Sequence, residues 1–467
     1  MERYDLVIIG AGPGGYVAAI RGAQLGAKVL LIERDKVGGV CLNQGCIPTK
    51  TLISSANAFR TISEAKRLGI IAKEGAKPDF KAMVARKENV VSTLVKGVKA
   101  LLKANGVTLI EGKGSLLPEG KVRIILNDGG EEEIVEAKRT VIATGSKPAD
   151  LPGIPLDGER IISGEDALSL TKLPGKILII GAGAIGSEFG MMFSALGVEV
   201  VMVEIMERPV PMEDAEISSI LEREFKKKKI KLHTGRKVVT TRKGETGVEA
   251  ELDSGEKIEA ELILVSVGRK LNTEGIGLED VGIVLGKKGE IKVDAKLETN
   301  IPGIYAIGDV IGGHMLAHVA SHEGLVAVEN ALGGSKEMDY TAVPAGIFTE
   351  PEIASVGLTE DEAREKGINI KVGRFPLRVL GRAQASGELS GLIKLIAEEG
   401  SGKLIGAHII GARATELIHE LALAIRLGVS AQEVEETIHT HPTFSEGIME
   451  AAMDLFGRSI HLPPSRG

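Results

Sequence analysis

One glycine-rich turn is written twice in this chain, and few arrangements of secondary structure accommodate both copies. The first reads Val7-Ile8-Ile9-Gly10-Ala11-Gly12-Pro13-Gly14-Gly15 and runs on to Leu31-Ile32-Glu33. The second reads Leu178-Ile179-Ile180-Gly181-Ala182-Gly183-Ala184-Ile185-Gly186 and runs on to Val201-Met202-Val203-Glu204. In each, an apolar strand pattern leads into the glycines and a helix pattern follows. A glutamate then closes the next strand, 23 positions after the first glycine. This is the βαβ context that a dinucleotide-binding turn requires. Gly10 and Gly181 permit the tight turn. Gly12 and Gly183 let the backbone approach a pyrophosphate, and Gly15 and Gly186 let helix and strand pack closely. The helix N-terminus then offers free N–H groups and its dipole to the phosphates. Glu33 and Glu204 can each accept from a ribose 2′-hydroxyl. Glu204 would repel a 2′-phosphate, so the second site is expected to prefer NAD over NADP, with Arg208 working against that preference.

The 467 residues have room for roughly three domains. Residues 1–149 open on the first βαβ unit. The polar, lysine-rich stretch from Ile62 to Lys103 reads as long surface helices. Thr140 to Gly145 reads as a buried strand ending in a tight turn, and Pro148, Pro152 and Pro155 mark a linker. Residues 150–275 form a second α/β unit, ending on the buried strand Leu262 to Gly268. Residues 276–340 contain Gly308-Asp309 and a helix expected from Met315 to Leu332. Residues 341–467 change character. Strand patterns at Ile347 to Val356, Ile368 to Pro376, Gly391 to Ile396 and Leu404 to Ile410 alternate with helical ones, as in an antiparallel sheet backed by helices. The expected class is α/β: two Rossmann-like dinucleotide-binding domains plus a C-terminal α+β domain.

A net charge of −7 gives no general attraction to nucleic acid or anionic membrane. The run Lys226 to Lys229 reads as a solvated helix end. The longest uncharged stretches are glycine-rich and fall short of the ~20 apolar residues of a spanning helix. The chain enters a strand at Tyr4 with no targeting segment before it, and a cytoplasmic location is expected.

Only two cysteines occur, Cys41 and Cys46, within Gly38-Gly39-Val40-Cys41-Leu42-Asn43-Gln44-Gly45-Cys46-Ile47-Pro48-Thr49-Lys50. A zinc site wants four ligands and a secreted scaffold more cysteines; in a reducing compartment a lone close pair is more often catalytic. A disulfide needs Cα atoms within about 7 Å, and Asn43, Gln44 and Gly45 supply a turn that could bring the sulfurs together. Pro48 suits the first turn of a helix, whose N-terminus would lower a thiol's pKa. His314, His318 and His322 recur every fourth residue, but no partner pattern supports a metal, and none is expected. Near the C-terminus, Thr443 and Glu446 fit a capping box at the start of a helix from Gly447 to Leu455.

These motifs together resemble the pyridine nucleotide–disulfide oxidoreductases, and among them the dihydrolipoamide dehydrogenases, over essentially the whole chain. The resemblance rests on the two fingerprints, the CLNxGCIP pattern, Ala143-Thr144-Gly145, Gly308-Asp309 and His441-Pro442-Thr443-Phe444-Ser445-Glu446. It implies FAD at the first turn, NAD at the second, and a redox-active Cys41–Cys46 disulfide, with Cys41 nearer the substrate and Cys46 nearer the flavin. His441 would be the base and Glu446 its orienting carboxylate, a role that competes with the cap. Lys50 and Glu188 match positions that pair beside the flavin. Thr144, Gly145, Gly268 and Asp309 fall at cofactor positions, as do the amides of Met315, Leu316 and Ala317. The implied partners are a second copy, which supplies the dyad across a homodimer, and a lipoyl-bearing carrier protein or acyltransferase. Residues 341–467 would then be the dimerisation domain.

Val40 stands where threonine is usual, Gln44 where valine is usual, and Leu271 where proline is usual. Glutathione reductase-like enzymes share the disulfide and the dyad but select NADP, against Glu204. Mercuric reductase-like enzymes carry a further C-terminal cysteine pair, which Leu462 to Gly467 lacks, and transhydrogenase-like relatives lack the pair present here. A purely structural docking subunit would not need Cys41, Cys46 and His441 together.

Overall fold

The computed structural model describes residues 1–71, 75–130 and 132–463. Residues 72–74, inside the lysine-rich stretch, and 464–467, at the cysteine-free chain end, lie outside the described residues. The described chain divides into two compact units. One joins residues 1–52, 79–149 and 268–339; the other joins 53–78, 150–267 and 340–467.

In the first unit, strand Arg3–Ile9 pairs in parallel with Val29–Glu33 on one side and Glu132–Ile142 on the other. Thr108–Leu117 extends one edge and Ile304–Ala306 the other, both in parallel. Buried on both faces, the central strands read as unbroken apolar runs rather than alternating ones. Strand Lys121–Leu126 pairs antiparallel with both Thr108–Leu117 and Glu132–Ile142, making a meander. The sequence reading passes over this meander because its half-exposed, charged strands carry little periodic signal. Helices Pro13–Gln24 and Ala317–Ala331 cross closely at two glycines. A Cβ on Gly14 would lie 2.9 Å from Ala320 O, and one on Gly324 2.6 Å from Gly14 O. Their shared core includes Leu6, Ile8, Leu31, Val141, Val326 and Val328.

In the second unit, five parallel strands run in the order Lys231–His233, Glu199–Val203, Lys176–Ile180, Leu262–Val265 and Ile161–Ser163. A three-stranded antiparallel sheet, Val238–Lys243, Val248–Leu252 and Lys257–Ala260, adds to it and was not expected from the sequence. The C-terminal part is a five-stranded antiparallel sheet in the order Ala345–Ile347, Glu352–Gly357, Leu404–Gly411, Leu392–Glu398 and Ile370–Pro376. Helices Ala414–Leu427 and Glu446–Asp454 share its core through Ile418, Leu421, Ile448 and Ala451, against Phe375, Ile393 and Ile409. The mixed α/β class is as expected.

Several boundaries differ from expectation. Ile347 to Val356 is a hairpin of two strands, not one, because Thr349 to Pro351 turns the chain. The first surface helix ends at Ser63 and a short 3-10 turn follows at Ala65–Leu68; a long helix begins at Phe80, where Asp79 accepts from Ala82 N–H as an N-cap. The helix expected from Met315 starts at Ala317, since Met315 is left-handed at φ +49°. His314 is therefore off the helix that carries His318 and His322. The lysine run ends helix Ala215–Lys227, but Lys228 is half-buried there and its ammonium is pushed below its ordinary pKa by burial and by Arg60.

Candidate active site

The two glycine turns are built alike, atom for atom. A Cβ on Gly15 would sit 1.8 Å from Gly10 O, and one on Gly186 1.9 Å from Gly181 O. Gly10 (φ +106°) and Gly181 (φ +99°) take a left-handed backbone, with Ala143 O and Ser266 O where their side chains would be. At Gly12 and Gly183 a Cβ would meet nothing within 4 Å. Those positions open onto the first turns of helices Pro13–Gln24 and Ala184–Ala195, neither of which has a side-chain cap. An open cradle facing uncapped N–H groups fits a pyrophosphate in each turn. Glu33 Oε2 accepts from Ala11 N–H at 2.7 Å and its Oε1 from Asp35 N–H at 2.8 Å. Glu204 repeats this with Ala182 N–H at 2.6 Å and Met206 N–H at 2.9 Å. Each buried carboxylate thus braces its own turn and keeps acceptor capacity for a ribose. Burial raises the Glu33 pKa, with the two N–H bonds opposing it.

The cysteine segment is docked on the first turn. Gly38 N–H donates to Ala11 O at 2.8 Å, and a Cβ on Gly39 (φ +60°) would lie 2.6 Å from Gly12 Cα. The turn expected at Asn43, Gln44 and Gly45 is the end of a short helix from Gly39 to Gln44, which Gly45 terminates. Asn43 donates its amide to Val37 O and Gly39 O, which holds the segment coiled. Gly45 breaks the helix, a second begins at Cys46, and Thr49 Oγ1 donates back to Gly45 O at 2.6 Å. Helix, break and helix bring the two thiols into hydrogen-bond contact. The shared hydrogen bond with Cys46, then burial, pushes the Cys41 thiol far up. Cys46 is exposed, and Lys50 follows it by one helical turn, half-buried. Tyr16 also packs near Cys41, and burial and that thiol raise its pKa.

Other expected positions cluster by long-range bonds that no local motif announces. Asn272 staples the tight turn: its N–H donates to Gly145 O at 2.9 Å, its side chain donates to Thr144 O, and its carbonyl accepts from Thr144 Oγ1. Asp309 hydrogen-bonds Ser146 Oγ, which also accepts from Arg269 Nε at 2.6 Å. Gly268 has φ +138°, and its carbonyl accepts from Ala149 N–H. Ser321 donates to Pro13 O at 3.3 Å, which sets the first turn of helix Ala317–Ala331 beside that of Pro13–Gln24. Met315 and Leu316 precede this helix, leaving Ala317 as its first residue. In the second unit Glu188 is buried and accepts from Phe348 N–H at 2.9 Å. Ser146, Arg269 and Asn272 escape sequence reasoning because their partners lie more than a hundred residues away and are set by tertiary contact alone.

His441 and Glu446 form a dyad with Nδ1 and Oε1 2.8 Å apart. A carboxylate only accepts, so the His441 Nδ1–H donates to Glu446, on a side chain 75% exposed. Glu446 Oε2 accepts from Thr443 N–H, also at 2.8 Å. The cap and the dyad therefore do not compete as expected; each takes one oxygen. Only half of the capping box forms, because Thr443 Oγ1 turns to Thr440 O and Ser445 Oγ. Burial raises the Glu446 pKa, but Thr443 and His441 outweigh it and hold the carboxyl below its ordinary range. The neighbouring His439 has both ring nitrogens engaged, with Glu420 and Thr437 O, so it offers no free base. Among the described residues no group of three or more His, Cys, Asp or Glu could hold a metal ion.

The pyridine nucleotide-disulphide oxidoreductase family model matches residues 4–324, and the dimerisation domain of the same family matches 343–452. The chain is 43% identical to a dihydrolipoyl dehydrogenase of Bacillus subtilis, over 98% of this chain and 99% of that one. It is 44% identical to the dihydrolipoyl dehydrogenase of Thermus scotoductus, over 99% of each. The crystal structure of LpdA from Mycobacterium tuberculosis superposes with a TM-score of 0.90 at 31% identity, covering 97% of this chain and 100% of that one. With paired thiols, two pyrophosphate cradles and a histidine–carboxylate dyad in one such chain, it belongs to the pyridine nucleotide–disulphide oxidoreductases, as an FAD- and NAD-dependent flavoprotein oxidoreductase of the dihydrolipoyl dehydrogenase family.

Proposed function

We propose that the chain oxidises protein-bound dihydrolipoyl groups to lipoyl groups with NAD+ as acceptor, as the E3 component of a 2-oxo acid dehydrogenase or glycine cleavage complex. The observation that carries this reading is the thiol pair coiled against the first glycine turn, in a chain that bears a second such turn. Residues 1–149 and 276–340 hold FAD, 150–275 hold NAD, and 341–467 form the face of a homodimer. The His441–Glu446 dyad of one protomer serves the cysteine pair of the other.

In this reading His441 Nε2 takes a proton from the substrate dithiol, because only a thiolate attacks. The thiolate forms a mixed disulfide at Cys41 and Cys46 departs as thiolate. The second substrate sulfur then displaces Cys41, closing the lipoyl ring and leaving both enzyme cysteines reduced. Bound FAD supplies the two-electron relay from this dithiol to NAD+. Gly12, Gly183 and their helix N-termini would hold the two pyrophosphates, Glu33 and Glu204 the riboses. Asp309 would meet the ribityl chain, and Lys50 and Glu188 would flank the ring. Arg208 supports NAD over NADP, since its guanidinium is directed to Pro211 O and Glu213 O of its own segment.

No helix among the described residues is long and apolar enough to cross a membrane; we place the enzyme in the cytoplasm with its carrier. Dihydrolipoamide oxidation by wild type, Cys41→Ser and Cys46→Ser tests the assignment. Both variants should lose turnover while retaining flavin, and undiminished turnover in either would remove the disulfide from the reaction.

A further inference from the structure

The segment from Ile205 to Asp214 follows strand Glu199–Val203 and Glu204 and runs back across the second glycine turn. Its contact with the turn is specific: Val210 N–H donates to Ala182 O at 2.8 Å. Val210 is buried, and its φ of +41° is a conformation that a β-branched residue adopts only when its surroundings impose it. What imposes it lies just beyond. Glu213 N–H donates to Val210 O at 2.9 Å, and Ser218 Oγ to Pro209 O at 2.6 Å. Asp214 then caps helix Ala215–Lys227 and is gripped by Lys394 Nζ, 2.9 Å from each carboxylate oxygen. Lys394 is itself buried in the C-terminal sheet. The glycine turn is thus tied, through a strained residue, to an anchored ion pair.

Glu213, within the same segment, is held by no ion pair among the described residues. The Glu213 carboxyl is buried, takes a hydrogen bond from Ser355 of strand Glu352–Gly357, and leaves Oε2 without a partner. We propose that Glu213 is a positioning residue for the pyridine nucleotide. Its charge state sets the Val210–Ala182 contact and so the shape of the cradle that receives the pyrophosphate. The inference rests on reading the second turn as the NAD site.

The surroundings fix the direction. On its own segment Glu213 faces the Asp214 carboxylate, while Arg208 reaches only its backbone carbonyl. Nearby on the chain, Glu216 of helix Ala215–Lys227 pairs with Arg374, Glu360 of helix Glu360–Glu365 pairs with Lys394, and Asp361 lies 3.9 Å from Arg208. From the sheet, Lys394 is engaged by Asp214, Glu216 and Glu360. His408 is held neutral by burial and bonded to Leu358 O. Among the described residues no cation acts on the Glu213 carboxyl. Burial, with Asp214 adding to it, raises its pKa to about 7, so the group is neutral below that pH and charged above it. Ionisation places a second negative charge beside Asp214 and loosens the 205–214 segment.

NADH affinity measured on the flavin-loaded enzyme between pH 6 and 8.5, by about five steps, tests this. In wild type the dissociation constant should rise about fivefold as pH passes 7. In Glu213→Gln, which stays neutral, it should remain at the low-pH value. KM for NAD+ should follow the same pattern while kcat changes less than about twofold. Ser355→Ala removes the hydrogen bond that favours the charged form and should move the transition to higher pH. Equal pH dependence in wild type and Glu213→Gln, or an unmoved transition in Ser355→Ala, would overturn the proposal. Gly183→Ala is sterically free in the unliganded fold but fills the cradle. Loss of NADH binding there at every pH supports the site assignment, and persistence of binding would overturn that assignment first.

Discussion

Glu446 reaches His441 with one carboxylate oxygen only, 2.8 Å from Nδ1, and its other oxygen accepts from the Thr443 N–H just ahead of helix Glu446–Asp454. The orienting group is therefore fixed to secondary structure, and the imidazole inherits that rigidity. Glu446→Gln should lower kcat for dihydrolipoamide oxidation by about a hundredfold, with flavin content and fold unchanged by absorbance and circular dichroism. Wild-type kcat in this variant would show that His441 works without an orienter.

Gly15 and Gly186 make a paired prediction. An alanine Cβ at either overlaps the carbonyl oxygen of its own turn's first glycine, so each substitution should disable one turn and spare the other. Gly15→Ala should purify without flavin. Gly186→Ala should purify yellow yet fail to respond spectrally to added NADH. If both variants lost the same cofactor, the division of labour between the turns would be wrong.

Lys394 is 1% exposed and bonds Asp214, Glu216 and Glu360 at once, while Arg374 bridges Glu216 and Glu360. Lys394→Met leaves the buried Asp214 carboxylate without its cation, Glu216 and Glu360 keeping Arg374, and should cost about 3–5 kcal/mol in urea unfolding. The pH dependence has a definite sign. Burial raises these three carboxyls, but their partners outweigh it and hold all three below their ordinary values. Their contribution is therefore complete above the unfolded carboxylate pKa of about 4 and is lost as pH falls through the folded values. Wild type should thus lose its advantage over Lys394→Met on acidification. An advantage that grew towards low pH would contradict the cluster's assigned role.

The C-terminal part leaves Leu423, Leu427 and Ile438 exposed, at 60%, 69% and 96%. Within the dimerisation-domain match, these are the side chains expected to be covered by a second copy. Leu427→Asp combined with Ile438→Asp should shift the sedimentation coefficient from dimer to monomer and reduce dihydrolipoamide turnover at least tenfold. A monomer of full activity would separate the dyad from the partner's cysteines.

The sequence by itself determined the two glycine turns, because these depend on backbone conformations that only glycine permits at fixed spacing. Gly10, Gly15, Gly181 and Gly186 stand against backbone oxygens that no other residue could face. It also named His441 and Glu446, although their shared oxygens were legible only once the Thr443 N–H had a direction. Tertiary structure alone decided which distant groups complete each turn. Asn272 on Thr144 and Gly145, Arg269 on Ser146, and Lys394 beneath Asp214 are joined across 128, 123 and 180 residues. A polar side chain carries no periodic mark of its partner. Such bonds are chosen when packing buries both ends and water can no longer satisfy either.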